Sequence, residues 1–242
     1  MSDQKSPQLS LPILARVQLT FANFVSGGSE NLPLVTSLLD LVALHKLSNT
    51  ASSVYFAGPA GSGKTHLLFA VLNSLSQDNS RTDCQYLDCA RIKGHAGLMH
   101  DFTPKKVTLL DNVDSLQGRR DDETALFGLV ERIRQANSVF VATGSQTIED
   151  ADWNLADVES RLSAGLIFAL RELDDEGTLD ALRLRFQAAG LVVSDRVLDY
   201  ILTHFSRDKH VLFGAIDDLD QSALREQRKI TIPFLKEFLN LD

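Results

Sequence analysis

The fold of this chain is decided by a single stretch, Gly58-Pro59-Ala60-Gly61-Ser62-Gly63-Lys64-Thr65, which satisfies every fixed position of the pattern G-x-x-x-x-G-K-[ST]. The apolar run Ser53–Ala57 comes directly before it, and apolar residues recur at helical spacing over His66–Leu75 after it. Glycines at such a strand-to-helix turn let backbone N–H groups close around phosphate oxygens, and the helix N-terminus adds a favourable dipole. We therefore predict a phosphate-binding loop here, rather than an ordinary glycine-rich turn.

Outward from this loop, strands and helices alternate along the chain. Further short apolar runs at 85–89, 106–110, 138–143 and 167–170 predict strands, and helical spacing at 33–47 and 123–135 predicts helices between them. Parallel neighbouring strands need crossover connections, which helices supply. The pattern therefore predicts an α/β domain with a parallel sheet that is covered on both faces.

The pattern changes after about Arg171, where only helical spacing remains. Helices are predicted over 178–189, 195–205 and 212–227, and Thr231 can cap a last helix that enters at Pro233 and runs towards Leu239. The chain thus divides into an α/β domain and a small all-α domain.

The end of the phosphate loop and the end of the strand predicted over 106–110 together form a candidate nucleotide site. Lys64 would supply positive charge to the β- and γ-phosphate oxygens, Thr65 a hydroxyl for Mg²⁺, and Asp111 a carboxylate for the water shell of that ion. Many NTPases carry an acid at the next position, but Asn112 can only hydrogen-bond water and cannot take its proton. Asp114 is a partial substitute. We expect tight nucleotide binding and intrinsic turnover slower than about 1 s⁻¹.

The composition limits the partners that the protein can have. The chain has 242 residues with 24 basic and 32 acidic ones, a net charge of -8, which the two parts share equally. This balance argues against holding DNA mainly by neutralising its phosphates. Two cysteines are too few for a disulfide framework, and neither a secretory signal nor an apolar run of about 20 residues is present. We expect a cytoplasmic protein without membrane contact.

The histidines lack metal-like grouping, so no metal beyond nucleotide-bound Mg²⁺ is expected. We interpret the following as packing or surface residues: His45, His66, His95, His100 and His204.

Taken together, the motifs resemble the AAA+ ATPases, and among them the DnaA-like branch. The loop is similar to the initiator's own, including His66 after the threonine, and three further boxes follow the family's order: Thr20–Val25, Ser160-Arg161-Leu162 with Gly165-Leu166, and Leu212–Ile216.

This resemblance implies an AAA+ base over 21–172 with a parallel five-stranded sheet, and a helical lid over 173–242, with ADP or another nucleotide and Mg²⁺ between them. It places Phe21, Asn23, Phe24 and Val25 against the nucleotide base. Either Thr143 or Ser145 is the sensor at the end of a central strand. His210 stands where the family has a lid arginine, so Arg207 or Lys209 takes over, or the site suits a diphosphate.

Two more implications concern a partner. Arg161, in its box, is implied to be an arginine finger that reaches into the site of a neighbouring molecule; the alternative is an ordinary ion-paired helix residue. Residues 1–20 are expected to be a flexible N-terminal segment that contains the six residues Gln8-Leu9-Ser10-Leu11-Pro12-Ile13. This peptide resembles the one by which bacterial replication proteins bind the β sliding clamp, in the manner of an extended peptide in an apolar pocket.

The combination implies a negative regulator of bacterial replication initiation. Tethered to the DNA-loaded clamp, and to DNA mostly indirectly through it, the protein would present Arg161 to ATP-bound DnaA and convert DnaA to its ADP form. It would be nucleoid-associated through the clamp. We expect no DNA-reading helix-turn-helix after the lid.

Two alternatives remain. A loader or helper ATPase acting on single-stranded DNA would need a basic channel, for which Arg119-Arg120 and Arg132 with Arg134 are candidates. A metabolic kinase usually opens with the phosphate-loop strand, whereas 57 residues precede Gly58 here. The oligomeric state stays open, and a homodimer or a higher homo-oligomer is compatible with the sequence.

Overall fold

The computed structural model describes residues 19–47, 53–76, 83–206, 208–209, 211–216, 219 and 229–238. The predicted clamp peptide Gln8–Ile13 and the predicted sensor position His210 lie outside these residues. Of the helix predicted over 212–227, only residues 212–216 and 219 lie within them.

Five parallel strands form one sheet in the order β2-β3-β4-β1-β5. All five predicted strands are confirmed to within one residue at each end: β1 is Ser53–Ala57, β2 Cys84–Asp88, β3 Val107–Asp111, β4 Val139–Gly144 and β5 Leu166–Ala169. Every residue of β1, β3 and β4 is buried, which explains their continuous apolar runs.

Helices cover both faces of this sheet. The helices of the base are α1 (Leu32–Leu47), α2 (Lys64–Ser76), α3 (Cys89–Ile92), α4 (Ala96–His100), α5 (Arg120–Gln135) and α6 (Ala156–Leu162). Two short 3₁₀ turns occur at Phe21–Asn23 and Val113–Leu116. The sequence predicts α1, α2 and α5 but not the shorter helices.

Alternate strand residues build two separate cores. Val54 and Phe56 of β1 face a core shared with α1 and α2, while Tyr55 and Ala57 face a core shared with α3 to α6. The helix that follows the phosphate loop and the helix that carries Arg161 therefore lie on opposite faces of the sheet.

The lid is α-helical and has a core of its own. It contains α7 (Asp175–Ala188), α8 (Asp195–His204), helical residues at 211–216, and α9 (Ile232–Phe238). Buried Phe186, Ile201 and Phe234 join these helices. The side chain of Thr231 accepts a 3.4 Å hydrogen bond from the backbone of Phe234, so the predicted cap is confirmed. None of the described helices is long and apolar enough to cross a membrane.

The carboxyl ends of the central strands meet at one edge of the sheet. Phe56 of β1 pairs with Thr143 of β4, and Leu110 of β3 pairs with Ala142. This register brings the ends of β1, β3 and β4 together, which is where open α/β sheets bind ligands.

Candidate nucleotide-binding site

The predicted phosphate loop follows β1 directly and is anchored to the sheet at its start. The backbone N–H of Gly58 donates to Gly144 O at 3.1 Å. A Cβ at Gly58 would lie 2.5 Å from the carbonyl oxygen of Leu170, and Gly63 has a φ of +97°. These glycines are required by close backbone contact and by a left-handed conformation, respectively.

The charge of the loop is supplied by Lys64, which is buried and begins α2. Its ammonium group donates to the carbonyl oxygens of Gly58 at 2.5 Å and Pro59 at 2.8 Å. Burial lowers the pKa of Lys64, and the carboxylates of Asp111 and Asp114 act against this shift. A buried cation at the start of the helix that follows a glycine-rich loop is suited to a polyphosphate.

One polar atom of the loop supports the same conclusion. Ser62 is 5% exposed, and its hydroxyl oxygen is buried without a hydrogen-bond partner in the described part of the chain. Buried hydroxyl groups are normally satisfied. A phosphate oxygen in the loop would provide a partner of the right kind.

Asp111 connects the loop to the neighbouring strands. Its Oδ2 accepts hydrogen bonds from Thr65 at 2.7 Å and from the hydroxyl of Tyr86 at 2.8 Å, and its Oδ1 accepts one from Thr143 at 2.5 Å. A hydroxyl and a carboxylate oxygen at this distance are hard ligands of the type Mg²⁺ prefers. Thr65 and Asp111 would hold that ion together with the nucleotide phosphates. Among the described residues, no group of three or more acidic, histidine or cysteine residues could hold a metal ion.

The next position, Asn112, departs from the arrangement of a hydrolytic site. It adopts a left-handed conformation with φ 56°, and its side-chain amide donates to Asp88 Oδ1 at 3.3 Å. Asn112 therefore places an amide, not a proton acceptor, at the end of β3.

The two sensor candidates of the sequence have different surroundings. Thr143 is fully buried and donates a hydrogen bond to Asp111. Ser145 is exposed and donates to Asp114 through its backbone N–H at 3.1 Å and through its hydroxyl. Thr143 thus lies next to the candidate Mg²⁺ ligand, and this geometry favours it as the sensor.

The segment predicted to contact the base lies against the loop and α2. Phe24 packs edge-on against His66, with the ring centres 5.4 Å apart, and a Cβ at Gly63 would lie 2.9 Å from the Phe24 ring. Asn23 accepts a 2.8 Å hydrogen bond from the backbone N–H of Thr20. The other two predicted base contacts, Phe21 and Val25, are partly buried. We name Phe21–Val25 the base-contact segment.

His66 fixes this segment, a role that the sequence did not reveal. Its Nε2 lies 2.9 Å from the carbonyl oxygen of Thr20 and donates to it. Burial lowers the pKa of His66 to about 4; the hydrogen bond to Thr20 opposes this shift and the positive charge of Arg185 adds to it. His66 is therefore neutral at pH 7.

On the lid, Lys209 is one of the two residues that the sequence predicts as substitutes for the family's lid arginine. Its ammonium group donates to the carbonyl oxygen of Leu173 and lies 3.2 Å from Glu172 Oε2. Lys209 thus binds the connection between base and lid. The other substitute, Arg207, lies outside the described residues.

Arg161 is placed away from this site, on α6. Its Nε lies 2.6 Å from Glu131 Oε1, and its guanidinium lies 5.9 Å from the centre of the Phe127 ring. The side chain is 33% exposed. Both partners belong to α5, on the face of the sheet opposite α2.

The phosphate loop, the parallel sheet and the separate helical lid together define an AAA+ P-loop NTPase. A model of the bacterial DnaA ATPase domain matches residues 16–169, and a model of the Hda lid domain matches residues 175–239. Since the first match spans more than half of the chain, the chain belongs to the family of bacterial DnaA ATPase domains. Its lid is of the type found in Hda.

Solved structures agree with this assignment at the level of the fold. Domain III of Thermotoga maritima DnaA has a TM-score of 0.74 at 19% identity, with 92% of this chain and 96% of that chain covered. AMPPCP-bound DnaA from Aquifex aeolicus has a TM-score of 0.65 at 17% identity over 86% and 67%. A variant of Thermotoga maritima RuvB has a TM-score of 0.61 at 14% identity over 93% and 72%.

Proposed function

We propose that this protein is a negative regulator of bacterial replication initiation that activates ATP hydrolysis in DnaA. In this proposal it binds ADP and Mg²⁺ between base and lid, is tethered through Gln8–Ile13 to the DNA-loaded β sliding clamp, and presents Arg161 to the ATP of a DnaA molecule. It is then cytoplasmic and nucleoid-associated through the clamp. The DnaA-type base and the Hda-type lid support a role in DnaA-related replication.

The position of Arg161 is the observation that carries the proposal. The side chain is partly exposed on α6, and its described partners are Glu131 and Phe127 rather than residues of its own phosphate loop. A guanidinium at this place can serve a second molecule. A finger supplied in trans stabilises charge that develops on the transferred phosphoryl group, an effect of about 10³- to 10⁵-fold on rate.

The geometry at β3 supports a regulator rather than a fast ATPase. Asn112 cannot accept a proton from the attacking water, and its amide is bound to Asp88. The resident nucleotide is then turned over slowly, and the chemistry takes place in the partner.

The DNA-loader alternative receives less support from the candidate arginines. Arg119 pairs with Asp122 at 2.9 Å, and Arg132 donates to the carbonyl oxygen of Met99 at 2.6 Å. Arg134 lies 3.9 Å from Glu131. Arg119, Arg132 and Arg134 are therefore engaged with acidic groups or with backbone, which disfavours a common basic channel through them, and Arg120 is exposed.

The direct test measures hydrolysis of DnaA-bound ATP in four mixtures, with and without this protein and with and without DNA-loaded clamp. We expect fast conversion to ADP only when both are present. Equal rates in all four mixtures would refute the proposal, and stimulation without clamp would refute the tether.

A further inference from the structure

Asn31 holds the connection between base and lid from the side of the base. This connection is the backbone after β5, residues 170–174. The Asn31 side-chain amide donates to the carbonyl oxygens of Ser26 at 2.7 Å and Arg171 at 3.1 Å, and its Oδ1 accepts from the backbone N–H of Arg171 at 3.0 Å. Asn31 is 2% exposed, so these bonds are shielded from water.

The same connection is held by two further contacts. A Cβ at Gly27, whose φ is +63°, would lie 2.6 Å from Cδ2 of Leu173, so the loop and the connection pack without a gap. From the lid, Lys209 donates to the carbonyl oxygen of Leu173. Asn31 of the base and Lys209 of the lid thus hydrogen-bond neighbouring backbone groups of the connection, at Arg171 and Leu173.

The chain that leads into Asn31, residues 19–30, contains the base-contact segment Phe21–Val25. The two residues before this segment are tied to α2, because Asn73 donates to the carbonyl oxygen of Leu19 at 2.6 Å and His66 to that of Thr20. The lid helix α7 packs against Phe21–Asn23. One run of residues, 19–31, therefore contacts the phosphate-loop helix at one end and the base–lid connection at the other.

We propose that Asn31 is a positioning residue for nucleotide binding, which fixes the base-contact segment to the base–lid connection. Contact with the nucleoside and orientation of the lid are then coupled, while the side chain of Asn31 forms its hydrogen bonds with Ser26 and Arg171 and not with the phosphate loop. The ligand part that depends on Asn31 is the nucleoside of a nucleoside diphosphate. This inference rests on the nucleotide site of the proposed function.

Removing the amide leaves the backbone N–H and carbonyl of Arg171 without their described side-chain partner. We expect this loss to lower ADP affinity about tenfold, which corresponds to about 1.4 kcal/mol. We expect the loss to fall mainly on the nucleoside contacts, because the loop Gly58–Thr65 contacts the connection and Phe24 only by packing and keeps its own hydrogen bond from Gly58 to β4.

The test compares ADP with inorganic tripolyphosphate, which can engage only the phosphate loop, by calorimetry on the full chain. For Asn31→Ala we expect ADP affinity to fall roughly tenfold and tripolyphosphate affinity to change less than about twofold. Asn31→Asp keeps one acceptor but loses both donated bonds, so we expect the same result. The control is Glu30→Ala, which removes an exposed ion pair to Arg171 at 2.7 Å and should change neither affinity.

A second variant covers the case in which Asn31→Ala does not fold. Gly27→Ala places a methyl group against Leu173 and should show the same selective loss of ADP affinity. Equal losses for both ligands, or no loss for ADP, would overturn the inference. If the unmodified protein binds neither ligand, the nucleotide site itself is refuted, and this inference falls with it.

Discussion

The hydroxyl of Thr65 donates a 2.7 Å hydrogen bond to Oδ2 of Asp111, although 46 residues separate the two in the sequence. The bond links the end of the phosphate loop to the end of β3. Because a hydroxyl and a carboxylate oxygen are ligands of the type Mg²⁺ prefers, their contact supports a site for that ion at this point of the sheet edge.

Asp111→Asn should reduce the contribution of Mg²⁺ to ADP binding. The substitution removes the negative charge that attracts the ion and its water shell. We expect ADP affinity to fall about tenfold with Mg²⁺ present and to change little in EDTA, as measured by fluorescence titration. Tyr86→Phe is the matched control, since it removes one hydrogen bond to Asp111 but not the charge. Equal losses in both buffers would contradict the assignment.

His66→Gln should change how the free energy of unfolding depends on pH. The pKa of His66 is lowered by burial from 6.5 to about 4, so the folded state favours the neutral ring. Its contribution is fully present above pH 6.5 and is lost as the pH falls towards 4. We expect wild-type stability to decline by on the order of 3 kcal/mol more than that of the variant over this range. Urea unfolding at several pH values measures this difference, and parallel curves would contradict the buried neutral state.

The strands were predictable because their burial leaves a direct trace in the sequence. Each residue of β1, β3 and β4 is buried, so each strand appears in the sequence as an apolar run. The carboxyl end of the run then locates the candidate nucleotide site. The helices α3 and α4 are only 4 and 5 residues long, which is too short for a helical period to show. Their absence from the prediction follows from their length.

The residues that position the site were harder to find than those that form it. Asn31 binds a backbone group 140 residues away, and Tyr86 reaches Asp111 from a neighbouring strand. Neither belongs to a motif, and only the assembled sheet brings them to their partners. His66 was visible next to the phosphate loop, but its hydrogen bond to Thr20 depends on how the preceding segment folds back.

Arg161→Ala should abolish stimulation of DnaA-bound ATP hydrolysis and leave ADP binding unchanged. The guanidinium would act on a partner's phosphate, and its loss should cost roughly 10³-fold or more in rate. Arg161→Lys should recover little of it, since an ammonium lacks the planar fork. Arg134→Ala is the matched control, because Arg134 lies near the same Glu131 at 3.9 Å. A quenched-flow assay with radiolabelled ATP measures the rate. Full stimulation by Arg161→Ala would refute the finger.

Gln8→Ala combined with Leu9→Ala should abolish binding to the sliding clamp. In an extended peptide, the polar anchor and the apolar side chains fill separate pockets, and Pro12 reduces the conformational entropy lost on docking. The control carries Gln4→Ala and Lys5→Ala, two substitutions of the same segment outside the peptide 8–13. We expect a pull-down with DNA-loaded clamp to retain the control and lose the first variant. The first variant should still bind ADP, because the substitutions leave the phosphate loop unchanged. Clamp binding that survives both pairs of substitutions would place the contact elsewhere in the chain.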